Sequence, residues 1–102
     1  VDFSYMEDED WELLSWVKRS KNRRSVLLYL LSVNEPRTPS EVSSKIEVSM
    51  NHISRALRQM TGSDERPALV KCLNPDAPYD RHYKLTDKGK ELAQKIKEVQ
   101  EE

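Results

Sequence analysis

Apolar residues recur along the chain at intervals that change from segment to segment, and those intervals predict the elements. From about Asp8 to Arg19, Trp11, Leu14 and Val17 return at helical spacing, with Leu13 and Trp16 widening the stripe. Acids crowd the start of this segment and Lys18 and Arg19 its end, which suits the helix dipole. Ser20 is placed to cap a second helix reaching about Val33. Its apolar residues (Val26, Leu27, Leu28, Tyr29, Leu30, Leu31, Val33) cover nearly every side, as in a central helix packed by neighbours. Asn34-Glu35-Pro36 ends it.

Thr38-Pro39-Ser40-Glu41 is the clearest local signal, with an N-cap hydroxyl, a proline at the first helical position and a glutamate that completes a capping box. A short helix follows, with Val42 and Ile46 one turn apart and facing inward. Glu47-Val48 makes a tight connection, and Ser49 caps a further helix to about Met60. There Ile53, Ala56, Leu57 and Met60 form the buried stripe, while Asn51, His52, Arg55, Arg58 and Gln59 lie off it. Residues from Thr61 to Pro67 have turn composition. Leu69–Leu73 and His82–Leu85 predict two short strands around the loop Asn74-Pro75-Asp76-Ala77-Pro78, whose prolines exclude regular pairing. Thr86 caps a last helix with Leu92, Ala93, Ile96 and Val99 on one side. The expected order is four helices, a hairpin and a helix, an α+β fold that is mainly helical.

Composition changes this picture little, but charge changes it much. The chain of 102 residues is sized for one domain, 36% hydrophobic and 34% charged, with 7% aromatic. The longest apolar run, Val26 to Leu31, is far short of a membrane span, and the acidic start is unlike a signal peptide. Cys72 is the only cysteine, so no internal disulfide or cysteine-based zinc framework is expected, and the composition suits a reducing cytoplasm. The net charge of −1 conceals a strong division. Residues 1–12 carry six acids and no base. Residues 13–90 carry fifteen Lys or Arg against eight Asp or Glu, a balance of +7, and residues 91–102 fall back to −2. A basic middle between acidic ends favours a polyanionic partner.

Two short helices joined by a tight turn, the second polar and basic outside, meet the physical requirement for reading duplex DNA. The major groove is about 12 Å wide and admits one helix. Ser49, Asn51 and His52 stand on the leading turn of that helix. Asn51 matches adenine, and Arg55 or Arg58 matches guanine bidentately, with Gln59 further along. The hairpin supplies a wing with Tyr79 near its tip and Arg81 at its base.

At these residues the sequence resembles winged helix-turn-helix transcriptional regulators of the MarR and ArsR-like type, especially compact archaeal members. The resemblance runs from about Ser20 to Leu92. It is carried by Ser20-Lys21-Asn22-Arg23-Arg24, by Thr38-Pro39-Ser40-Glu41-Val42, and by Val48-Ser49 through Ser54-Arg55-Ala56-Leu57. Asp80-Arg81-His82-Tyr83-Lys84-Leu85-Thr86-Asp87-Lys88-Gly89 carries it most strongly. It implies that the helix from Ser49 is the recognition helix and that Asp80 and Arg81 organise the wing and meet DNA. The chain departs from the family in two places. Ser63-Asp64-Glu65-Arg66-Pro67 replaces a very short turn before the first wing strand, and the terminal helices that build dimer and effector pocket in longer members are short here.

The expectation is therefore one winged-helix domain over residues 1–102, with a core at about 20–92 and terminal helices at about 8–19 and 87–101. It acts as a sequence-specific, double-stranded DNA-binding regulator, with no cofactor and an unknown effector. A homodimer is expected through the terminal helices, because Trp11, Leu14, Val17, Leu92, Ile96 and Val99 exceed what the central core needs. The competing accounts are simpler. The polar side of the fourth helix is also what a solvated surface looks like, and the basic run from Lys18 to Arg24 serves helix ends as readily as phosphates. A winged helix can also be a protein-binding module in a transcription or replication assembly. The chain has only two glycines, no phosphate loop and no nucleophile motif, so it does not read as an enzyme.

Overall fold

A computed structural model describes residues 8–101. The elements are α1 (Asp8–Lys18), α2 (Lys21–Val33), α3 (Pro39–Ile46), α4 (Met50–Gln59), β1 (Val70–Cys72), β2 (Tyr83–Leu85) and α5 (Asp87–Glu101). Their order is the one that the apolar spacing predicts. The strands are shorter than expected: the Leu69 amide donates to the Met60 carbonyl and the His82 amide to Asn74 Oδ1 instead of across the ladder.

Local chemistry sets the helix ends. The Ser20 hydroxyl accepts from the Arg23 amide at 3.3 Å and starts α2. Asn34 ends it in the left-handed region (φ 52°), which asparagine tolerates, with its amide on the Leu30 carbonyl. The capping box at α3 is complete. The Glu41 amide donates to Thr38 Oγ1 at 3.2 Å and the Thr38 amide to Glu41 Oε1 at 2.9 Å. Hydrogen bonds from the Thr38 amide and hydroxyl hold the Glu41 carboxyl below its ordinary pKa. Glu47, left-handed at φ 58°, reverses the chain, and Ser43 Oγ donates to the Val48 carbonyl. The Ser49 hydroxyl then caps α4. The helix-turn-helix is thus closed by hydrogen bonds at each corner.

β1 and β2 pair antiparallel with Val70 opposite Leu85 and Cys72 opposite Tyr83. A third segment, absent from the expectation, joins them: Arg37 and Tyr83 exchange both backbone hydrogen bonds at 2.9 Å. The stretch after α2 therefore pins the hairpin to the start of α3. The Leu85-Thr86-Asp87-Lys88-Gly89 passage also gains a physical reason. Thr86 Oγ1 accepts from the Gly89 amide at 3.0 Å and donates to the Ala68 carbonyl at 2.6 Å. A Cβ at Gly89 would stand 2.0 Å from the Leu69 carbonyl oxygen, so only glycine lets α5 start this close to β1.

The core draws on every element, from Leu13, Leu14 and Val17 of α1 through Leu27, Val42, Ile53 and Leu57 to Leu92, Ala93 and Ile96 of α5. This corrects the reason for expecting a homodimer. Leu14, Val17, Leu92 and Ile96 are not surplus; they are buried in their own chain, where α5 packs on α2 and α1 closes over both. Only Trp11 of that set is exposed, and Val99 is half-buried. Ile46, expected inside, is half-buried too. An ion pair between Lys88 and the largely buried Asp10 clamps α1 to α5. The acids before Asp8, Asp2 and Glu7 among them, lie outside the described residues.

Candidate nucleic-acid interface

Opposite Ile53, Ala56 and Leu57, α4 turns Asn51, His52, Arg55, Arg58 and Gln59 to the surface, all exposed. Among the described residues, the side chains of Asn51, His52, Arg55 and Arg58 make no hydrogen bond or ion pair with the protein. Two expected contacts are already engaged. The Ser49 hydroxyl accepts from the His52 amide as the cap, and Gln59 Oε1 accepts from Arg23 Nη1 at 3.1 Å.

The wing is held in shape by one side chain. Asn74 Oδ1 accepts from the His82 amide at 2.7 Å, and Asn74 Nδ2 donates to the Asp80 carbonyl at 3.1 Å. Asp80 is left-handed at φ 54°. Arg81 is exposed and its Nε donates to the Ala77 carbonyl at 2.9 Å, which anchors the guanidinium at the loop instead of leaving it to swing. Tyr79 is 80% exposed at the tip. Lys84 is on β2 of the same hairpin but does not line the groove beside α4. It is half-buried at a crevice lined by Leu30, Asn34, Glu35 and Lys90.

Concavities lie on both sides of α4. Toward the wing, a groove of about 510 Å³ has Met50, Ser54 and Arg58 on one wall and Pro78, Tyr79, Asp80 and Arg81 on the other, with Thr38, Pro39 and Ser40 at its end. It brings Arg58, Tyr79 and Arg81 together from two elements. Toward α2, a polar hollow of about 320 Å³ is lined by Ser20, Asn22, Arg23, His52, Arg55 and Gln59. Sequence reasoning missed Met50, Ser54 and Ser40. Their spacing gave a signal, since Met50, Ser54 and Arg58 are four apart and share a helical face.

Similarity to known proteins follows the same lines. The family model described as EarA-like matches residues 13–96. The chain belongs to the EarA-like family. By sequence, no curated protein matches it. By structure, this EarA-like chain is similar to a MarR-family transcription regulator, with a TM-score of 0.65 and 19% identity over 88% of this chain and 62% of the other. A MarR-family regulator from Neisseria meningitidis gives a TM-score of 0.64 and 20% identity, over 88% and 63%. A mutant ZitR from Lactococcus lactis gives 0.64 and 17%, over 80% and 53%. The chain thus spans about half to two thirds of the length of these proteins. Its fold is their winged helix, as the resemblance implied.

Proposed function

We propose that this EarA-like domain binds double-stranded DNA as a transcriptional regulator, with α4 in the major groove and the wing along the backbone or in the adjacent minor groove. The observation that carries this is the pair of exposed arginines on α4, which have no hydrogen-bond or ion-pair partner among the described residues and stand on a helix whose other side is locked in the core. An arginine fork without an internal carboxylate is free for the O6 and N7 acceptors of guanine, and Asn51 on the same helix for adenine. Arg58 of α4 and Arg81 of the wing line the same groove, so one strand of a duplex seated there would meet cations from both elements. That structural neighbours of the same fold are MarR-family transcription regulators supports the reading.

Any pairing of two copies has to use surface other than the stripes of α1 and α5, which the core consumes. A gel-shift series on a selected duplex tests the proposal. Arg55→Ala and Arg58→Ala should each weaken binding by about 1–3 kcal/mol and relax choice at one base pair. Both variants should melt like the parent, since neither side chain is bonded to any of the described residues. If both bind like the parent, α4 does not read the DNA.

A further inference from the structure

The corner where α1 meets α2 gathers Lys18, Arg19, Arg23 and Arg66. Although Glu12 and Glu65 line the concavity there, neither forms an ion pair with these arginines. Trp16 is half-buried near the end of α1, and two guanidiniums pack on its ring, Arg23 at 4.0 Å and Arg66 at 4.1 Å from the centroid. Arg19 lies close enough to Arg23 to repel it. Burial first, and then Arg66 and Arg19, push the Arg23 pKa down. Among the described residues, none of these three arginines has a carboxylate within ion-pair distance. The Nε atoms of Arg23 and Arg66 are buried and have no acceptor.

Structure alone accounts for one of the three. Arg23 Nη2 donates to the Trp16 carbonyl at 2.6 Å, satisfying the end of α1, and Nη1 holds Gln59. Arg66 does neither. Its guanidinium bonds no protein oxygen, and it comes from the 61–67 loop, where the chain departs from the short turn of the MarR type. The ring face attracts each guanidinium but does not remove the repulsion between the two cations that share it. An anion at this corner would offset the repulsion.

We propose that the Arg19, Arg23 and Arg66 corner is a second backbone-binding surface, taking the phosphates of duplex DNA beside the stretch under α4. This rests on the DNA reading above and extends it. The corner is continuous with the recognition helix, because Arg23 is bonded to Gln59 and shares the polar hollow with His52 and Arg55. A duplex carries one charge per about 1.7 Å of axis, so a strand leaving α4 on this side meets the corner next, as a strand on the other side meets the wing.

Trp16 reports on the corner directly. Trp11→Phe leaves it as the only tryptophan of the two. In that background, titration with a random-sequence duplex at low salt should change Trp16 emission, and added salt should reverse the change. Arg66→Gln should lower duplex affinity about three- to tenfold and reduce the slope of log K against log salt by about one. Arg66→Lys keeps the charge without the planar stack and should keep the slope, whereas a packing role would make both variants melt earlier and leave the slope alone. The proposal is overturned if the parent binds duplex while Arg66→Gln matches its affinity and slope. It is also overturned if inorganic phosphate moves Trp16 emission and duplex does not. Failure of the parent to bind any duplex would remove the DNA reading itself, and this extension with it.

Discussion

α4 and α5 are built alike but present their cations differently. Each lays an apolar stripe into the core, Ile53, Ala56 and Leu57 on one and Leu92, Ala93 and Ile96 on the other. Each also turns cations away from it. On α5, two of these are answered: Lys88 by Asp10 and Glu91, and Lys95 by Glu91 at 3.1 Å. On α4, Arg55 and Arg58 have no such partner among the described residues. The Lys88–Asp10 pair helps hold α1 to α5, but on the solvent sides of the two helices the contrast is not about stability, because exposed ion pairs add little. It concerns which charges remain available. The count of basic residues would favour α5, which has four lysines, two of them (Lys90 and Lys97) exposed without an ion pair among the described residues. The carboxylates separate the helices, since α5 carries four and α4 none.

The comparison breaks first at α5. If its stripe is core, Leu92→Glu with Ile96→Glu buries two carboxylates, each costing several kcal/mol, against a total stability of about 5–15 kcal/mol. The double variant should lose its helical circular dichroism and its cooperative melt. A variant that stays folded and changes only its mass by light scattering would return the stripe to an interface between copies. Gly89→Ala probes the same junction more gently. The added methyl meets the Leu69 carbonyl, and a loss of about 3 kcal/mol is expected in chemical denaturation. An unchanged midpoint would show that α5 starts further from β1 than described.

The sequence made the helices legible where side chains act on their own backbone. Ser20, Thr38 with Glu41, Ser49 and Thr86 all cap as their positions predict, because a cap is a contact within three residues. The stripe of α4 was legible for a similar reason, since period alone separates its buried and exposed sides. What depended on distant partners was not. The Arg37 bridge to Tyr83 joins residues 46 positions apart and leaves no periodic trace. Whether the stripes of α1 and α5 face their own core or another copy depends on how α2 receives them, which hydrophobicity does not encode. For the site, residue types and the helix face could be read, but not the bonds that occupy Ser49 and Gln59. The Trp16 stack was equally hidden, because Arg66 reaches it from a loop without pattern.

A smaller effect sharpens the comparison at the wing. Arg81 is fixed to the Ala77 carbonyl and lines the same groove as Arg58, which suits the backbone better than base edges. Arg81→Ala should weaken selected and random duplexes by the same factor, about 1 kcal/mol, and flatten the salt dependence slightly. A loss confined to the selected duplex would make Arg81 a reader of sequence.

The most direct test compares the parent with Arg55→Ala/Arg58→Ala on one duplex as salt rises from about 50 to 200 mM. Unpaired cations on α4 predict a steep, linear fall of log K with log salt for the parent. The double variant should bind at least about tenfold more weakly, with a shallower slope and the same melting curve. A double variant that follows the parent across the whole series, while melting as it does, would contradict the account.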